Sequence, residues 1–249
     1  MIRWFVGDFC NSAVDGALSQ QRRFLADAAH ELRTPIARMT SLAELTLHAP
    51  SDTTDVSGSL ALIAGDLQHA SRLLDELLQL ARADAGERMQ RAERVFLDDV
   101  VMDALRTWQP TAERGGIALR LGDVHEAPIR VDPLLARRLV DTLFENAVRY
   151  TPRGGRVEAG VRNDGDRAVL TVSDTGIGVS PEELPHVFER FFRGASSRAM
   201  APEGSGLGLP IAAWIVDQCG GAIVLSARPL GGTCARVSLP MDIQVSAIE

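Results

Sequence analysis

The sequence is short of cysteine, of long apolar runs and of positive charge, and each shortage excludes a class of protein. Its three cysteines, Cys10, Cys219 and Cys234, are odd in number, far apart and outside any C-x-x-C pair. They suggest neither a disulfide framework nor a zinc site, and they fit a reducing compartment. The opening MIRWFVGDFC holds a short apolar cluster broken by Arg3, Gly7 and Asp8. That is too short for a signal-peptide core or a membrane span, so the chain as given reads as soluble, cytoplasmic and without a span. A net charge of −7 and a pI of 5.3 leave no broadly basic surface, which argues against nucleic acid as the main partner. Any phosphate bound here has to be held locally. Between residues 17 and 48 there is no glycine and a single proline, Pro35, and nowhere is there an internal repeat or a low-complexity segment.

At 249 residues and 45% hydrophobic, the chain can bury a real core, and its length favours two domains. Residues 13–48, rich in Ala, Leu, Arg and Glu, read as a helix of roughly 50 Å. HAPSDTTD (48–55) supplies turn residues. Beyond it, Val56, Leu60, Ile63, Leu67, Ala70, Leu74, Leu77 and Ala81 alternate spacings of four and three, a sustained heptad seam. Two long helices joined by a short loop make an antiparallel hairpin, and so long a seam calls for a second copy. The expectation is a homodimer with a four-helix bundle. Residues 1–12 form a short segment before this hairpin, which spans 13–88.

One residue of the first helix stands out. In FLADAAHELRTPI (24–36), the apolar positions Leu25, Ala28, Leu32, Met39 and Leu42 mark the packed stripe. His30 lies two residues, about 200°, from both Ala28 and Leu32, and so points away from it. Pro35 has no N–H for the carbonyl of Glu31, which loosens the helix beside the histidine. From position alone, His30 is equally a solvated surface residue beside a helix irregularity.

After ARADAGERMQRAE the heptads give way to alternating strands and helices, so a second domain occupies 93–243. RVFL (94–97), GIALRL (116–121) and PIRV (128–131) read as strands, Asp98 as a helix cap, and Asp132-Pro133 as N-cap and first residue of a helix reaching Tyr150. Residues 156–174 read as a hairpin turning at 163–166, and 222–240 as a second strand pair around Gly231-Gly232. Four clusters here are suited to chemistry. DTLFENAVRYTP (141–152) places Asn146, Arg149 and Tyr150 within a helical turn. DTGIG (174–178) follows a strand, with glycines that permit close approach. HVFERFFRG (186–194) combines three Phe with Arg190 and Arg193. EGSGLGLPI (203–211) opens a helix with a glycine-rich turn whose free N–H groups attract phosphate. Each alone is an ordinary feature of many proteins.

Taken in order, H-E-L-R-T-P, E-N-A-x-R-Y-T-P, D-T-G-I-G, F-E-R-F-F-R and G-S-G-L-G-L resemble, box for box, the two-component sensor histidine kinases over roughly residues 18–240. The resemblance implies α plus α+β architecture: an antiparallel helical hairpin forming a dimeric four-helix bundle, followed by an α/β sandwich ATP-binding domain of the Bergerat type. It implies that His30 is the phosphoacceptor, that Glu31 takes the other ring proton, and that Thr34 orients water for dephosphorylating a response regulator. Asn146 is implied to hold Mg²⁺ bridging the phosphates, Arg149 to contact phosphate and Tyr150 to lie against the nucleoside. Asp174 is implied to accept from the adenine amino group, with Gly176, Gly178 and Thr233 beside the base. Gly204, Gly206, Leu207 and Gly208 are implied to wrap the phosphates, and Arg193, in a lid spanning 193–203, to approach the γ-phosphate. The implied cofactors are ATP and Mg²⁺, and the implied partners are a response regulator receiver domain and a second copy of the chain. If the chain belongs to a longer membrane-anchored sensor, its place is the cytoplasmic face of the inner membrane.

Two other readings share some of these boxes. A Bergerat-fold ATPase of the gyrase or chaperone kind carries a glutamate four residues before the metal asparagine, where this chain has Thr142. A dimeric phosphatase or docking module would keep the hairpin without phosphorylating itself. Thr142 is also a departure from the kinases, which usually have asparagine there, and it leaves the support of the metal site open.

Overall fold

The computed structural model describes residues 5–48, 55–86, 91–201 and 204–243, with side chains from Phe24 onward. Residues 1–4 of the expected N-terminal segment, turn residues 49–54, the stretch 87–90 and lid residues 202–203 lie outside the described residues. Two compact units divide after Gln79, inside the second helix.

In the first unit, α1 runs Phe5–His48, beginning upstream of the expected residue 13. Gly7 and Gly16 each cost about 1 kcal/mol relative to alanine in a helix but do not end one. Pro35 is accommodated inside α1 and buried. α2 runs Val56–Asp84, and the carboxylate of Asp55 caps its start by accepting from Gly58 N–H at 2.8 Å. Arg38 of α1 pairs with the buried Asp66 of α2 at 3.5 Å. The positions of α2 buried within the chain are Asp66, Leu73 and Leu80, seven residues apart. The predicted seam is offset from them: Val56, Leu60, Leu67 and Leu74 are each 50–59% exposed. An apolar stripe is thus left uncovered on α2 within the single chain. Among the described residues no helix is long and apolar enough to cross a membrane.

The second unit is built on a five-stranded sheet of order β2-β4-β5-β7-β6, comprising β2 (Ala118–Val124), β4 (Arg156–Asp164), β5 (Arg167–Asp174), β7 (Thr233–Pro240) and β6 (Ala222–Ala227). β2 runs parallel to β4, and the remaining neighbours are antiparallel. A small antiparallel ribbon joins β1 (Glu93–Phe96) to β3 (Pro128–Val131). Alternation along the strands drives the layering. Val157, Ala159 and Val161, Ala168, Leu170 and Val172, and Val237 and Leu239 are buried on one face. That face is covered by α3 (Leu97–Gly115), α4 (Pro133–Arg149) and α6 (Gly208–Gln218), whose Leu139, Phe144, Ile211 and Ile215 are buried. Burying each such side chain stabilises by about 1.5–3 kcal/mol.

Two caps differ in outcome. Asp132 caps α4 as expected, accepting from Leu134 N–H at 2.9 Å, with Pro133 as the first helical residue. Asp98 is not a cap. The N-cap of α3 is Phe96, without a side-chain bond, and the Asp98 carboxylate accepts instead from Ala127 N–H at 2.9 Å. It fastens the entry to β3 against α3. α4 is held to α3 by Asp141, which accepts from Trp108 Nε1 at 3.0 Å and from Arg137 Nε at 2.7 Å.

Candidate functional site

On α1, His30 is exposed and Glu31 half-buried, as the helical phase requires. No hydrogen bond joins the two side chains, so the imidazole is free to turn. The Thr34 hydroxyl, one turn on, donates to the His30 carbonyl at 3.4 Å. Its lone pairs stay available to a water.

In the second unit Tyr150, Asp174, Gly176, Gly178 and Thr233 come together where the end of α4, the end of β5 and the β6–β7 turn meet. Asp174 is 7% exposed, and its Oδ1 accepts two main-chain hydrogen bonds, from Gly176 N–H at 2.8 Å and Thr233 N–H at 3.0 Å. Thr233 thus acts through its backbone and not its hydroxyl. Oδ2 accepts nothing from the described residues and is not sealed off from solvent. Burial raises the Asp174 pKa above the usual carboxylate value, while the two N–H groups and the nearby Arg228 charge oppose that rise. One oxygen is spent on orientation, and the other is an acceptor for an incoming N–H.

Glycine is obligatory around this carboxylate. A Cβ on Gly176 would run into the Tyr150 carbonyl, and one on Gly232, at φ 90°, into the Asp174 carbonyl. Gly178, at φ 72°, lies against Gly232. Ile177 N–H donates to the Tyr150 carbonyl at 3.1 Å, which ties the DTGIG loop to the end of α4.

Asn146 is half-buried, and its side-chain amide has no hydrogen-bond partner among the described residues. Arg149 is paired with Glu145, one turn back, at 2.5 Å. Thr142 is 4% exposed, with its methyl group 3.2 Å from where a Cβ on Gly208 would sit, so it forms the floor beneath the glycine turn. Its hydroxyl makes no hydrogen bond to the described residues.

The glycine turn itself is braced by the F-E-R-F-F-R segment. Phe191 takes a left-handed conformation at φ 60°, unusual for a bulky residue, and donates its N–H to the Gly206 carbonyl at 3.1 Å. A Cβ on Gly206, itself at φ 71°, would come within 2.8 Å of the Phe191 carbonyl carbon. Leu207 is fully buried and its N–H donates to the Ser205 hydroxyl at 3.2 Å, while α6 begins without a side-chain cap, which leaves the N–H groups of Gly208 and Leu209 uncommitted to side chains among the described residues. Arg193 donates to the carbonyls of Ser197 and Ala201 and lies against Gly204. It therefore closes the end of the short helix α5 (Ala195–Met200), which lies within the segment expected to form a lid.

Several contributors escape sequence reading. Glu183 accepts from Ala195 N–H at 2.9 Å and anchors the start of α5. Arg190 makes a two-pronged ion pair with Asp84, at 2.8 and 2.5 Å, inside the second unit. Glu145 was readable as an i,i+4 partner of Arg149. A hollow of about 400 Å³ lies on the outer, helix-free face of the sheet beside Glu158, Arg162 and Thr171, and none of the predicted site residues line it.

The described residues contain no group of three or more His, Cys, Asp or Glu suited to a metal ion. Asn146 offers one amide oxygen as a donor. That suits a hard divalent cation that takes its other ligands from phosphates and water, as Mg²⁺ does.

Comparison with known proteins agrees with this geometry. Residues 20–86 match the His Kinase A (phospho-acceptor) domain, and residues 131–243 match the family of histidine kinase-, DNA gyrase B- and HSP90-like ATPases. The chain is 32% identical to the sensor-like histidine kinase SenX3 of Mycobacterium tuberculosis over 224 residues, which are 90% of this chain and 55% of that protein. It spans about half the length of the curated relatives it matches. The solved mycobacterial sensor histidine kinase MprB is 31% identical, with a TM-score of 0.53, over 62% of this chain and all of that one. Histidine kinase ThkA, solved in complex with response regulator protein TrrA, shares the fold at 18% identity and a TM-score of 0.72, over 91% of this chain and 64% of that one. With a phosphoacceptor-type hairpin followed by the matching ATPase domain, the chain belongs to the sensor histidine kinases of two-component systems.

Proposed function

We propose that the chain phosphorylates itself on His30 from ATP and passes the phosphoryl group to an aspartate of a response regulator receiver domain. A neutral imidazole nitrogen of His30 attacks the γ-phosphorus, an N–P bond forms, and the bond to the β,γ-bridging oxygen breaks with its electron pair leaving on ADP. The remaining ring proton passes to the adjacent Glu31 carboxylate once the unrestrained imidazole turns toward it. Exposure serves both halves of the reaction, since the same nitrogen has to meet the ATP site and then the receiver domain.

Oδ2 of Asp174 accepts from the adenine amino group, and this open oxygen on an otherwise pinned, buried carboxylate is the observation that carries the reading. Gly176 and Gly178 leave room for the base, and Tyr150 lies against the nucleoside. Gly204, Gly206, Leu207 and Gly208 surround the phosphates, with the uncommitted N–H groups at the start of α6 favouring their negative charge. Arg149 turns from Glu145 to the phosphates, exchanging one anion for another. Arg193 follows from its place at the end of α5 when the lid closes. Mg²⁺, held through Asn146, neutralises charge on the phosphates when bound.

The exposed stripe on α2 is the surface on which a second copy closes the four-helix bundle. The Thr34 hydroxyl orients water toward a phosphoaspartate docked on α1. The ThkA complex with its response regulator supports a receiver domain as the partner. The chain works in the cytoplasm, or at the cytoplasmic face of the inner membrane when joined to an anchored sensor. Incubation with γ-labelled ATP tests the proposal: label is expected on the wild-type protein and absent from His30→Gln, with ATP binding retained. Release of label as free phosphate without labelled protein would point to an ATPase, and persistence of label in His30→Gln would overturn the assignment of the histidine.

A further inference from the structure

The β5–β7 ladder ends at Ser173 opposite Cys234, one residue short of the Asp174 and Thr233 contact. Beyond that pair, the register between the end of β5 and the β6–β7 turn has no strand pairing to fix it. Two links remain. One is Thr233 N–H to Asp174 Oδ1, part of the site itself. The other is the guanidinium of Arg228, whose Nη1 donates to the main-chain carbonyl of Asp174 at 2.6 Å. Arg228 sits at the opening of that turn, which it also closes through its backbone: its N–H donates to the Gly232 carbonyl and its carbonyl accepts from Gly231 N–H, both at 3.1 Å. No carboxylate pairs with the guanidinium among the described residues. Its Nη1 donor is committed to one backbone oxygen, at the residue that carries the acceptor for the base, and its charge also acts on the carboxylate of that residue.

We infer that Arg228 is a positioning residue for base recognition, clamping the β6–β7 turn onto the Asp174 backbone so that Thr233 N–H keeps hold of Oδ1 and Oδ2 stays aimed at a 6-amino purine. The inference rests on the reading of Asp174 as the adenine acceptor. If the clamp is lost, the turn drifts from the end of β5, Oδ1 loses one of its two donors, and the carboxylate can rotate. The cost falls on the hydrogen bond to the exocyclic amino group more than on the phosphates, because the phosphate-binding turn belongs to α6 and is braced separately by Phe191. Gly232 takes part in the same contact, because only a residue without Cβ lets the turn approach that carbonyl.

The test measures binding of ADP and of IDP, which carries a 6-oxo group and an N1–H where ADP has the 6-amino group and an unprotonated N1, to the full chain and to Arg228→Met, Arg228→Lys and Asp174→Asn. Arg228→Met is expected to weaken ADP about fivefold, the worth of one well-placed hydrogen bond, and to leave IDP unchanged. Arg228→Lys, which can still donate to a carbonyl, is expected to recover most of the loss. Wild-type ADP binding in Arg228→Met would overturn the inference, as would equal losses of ADP and IDP without rescue by lysine. If Arg228→Met does not fold, the lysine and Arg228→Gln variants carry the comparison, since both retain a donor and glutamine lacks the charge; ADP and IDP weakened equally in both would again overturn it. Asp174→Asn separates the two claims. An unchanged ADP to IDP ratio there would remove the Asp174 reading itself, whereas a collapsed ratio there with an unaffected Arg228→Met would remove only the role of Arg228.

Discussion

Replacing Asp174 with asparagine probes the acceptor without reshaping the site. The two N–H groups of Gly176 and Thr233 require an oxygen at the Oδ1 position, so the asparagine amide is forced to place its NH₂ where Oδ2 was. A donor then faces the donor of the adenine amino group. An unsatisfied buried polar pair costs about 1–3 kcal/mol, so ADP binding is expected to fall roughly 5- to 150-fold while IDP, with its acceptor oxygen, gains. The effect on stability runs the other way. Because burial raises the folded-state pKa of Asp174, the folded chain binds more protons than the unfolded chain between the unfolded value of 3.8 and the raised one. The carboxylate therefore destabilises the fold at neutral pH, and that cost fades as pH falls through the raised pKa. Asp174→Asn is expected to melt no lower than wild type at pH 7 and to lose this contribution to the pH profile. Calorimetric titration with ADP and IDP, alongside thermal melts across pH, reads both effects. ADP binding within twofold of wild type, or a large drop in melting temperature, would refute the reasoning.

Leu67→Asp combined with Leu74→Asp places charge on the exposed α2 stripe, and sedimentation should convert a wild-type dimer to monomer; a wild-type monomer at micromolar concentration would contradict the dimer. Thr34→Ala should leave autophosphorylation unchanged and remove phosphatase activity toward the regulator, because its hydroxyl holds only a long bond to the His30 carbonyl. Thr142→Asn should raise the autophosphorylation rate about tenfold, or ~1.4 kcal/mol, if asparagine at this buried floor position supports the Asn146 amide. A rate unchanged or lower would mean that the contact of Thr142 with Gly208 already suits the site.

Local chemistry was legible in the sequence wherever it was also decisive. The Asp132-Pro133 start of α4, both hairpins and the outward phase of His30 all follow from patterns a few residues long. What was hidden depends on distant partners. Asp98 looks like a cap, but its carboxylate is claimed by Ala127 N–H, which the fold brings across from the start of β3. The parallel pairing of β2 with β4 joins segments separated by α4, and β2 itself runs Ala118–Val124 where 116–121 was expected. The heptad periodicity of α2 is visible in the sequence, yet the residues buried within the chain are the offset set Asp66, Leu73 and Leu80, since periodicity fixes spacing and not which neighbour a face meets. Arg228 carried no sequence signal at all, because its partner is a backbone carbonyl.

The claim that His30 receives the γ-phosphoryl group is tested most directly by mapping the phosphate after reaction with ATP. Digestion and mass spectrometry under neutral to alkaline conditions should find one phosphoryl group within residues 24–36, on His30, and brief acid treatment should remove it. A phosphoryl group that survives acid, or that sits on any residue other than His30, would contradict the account.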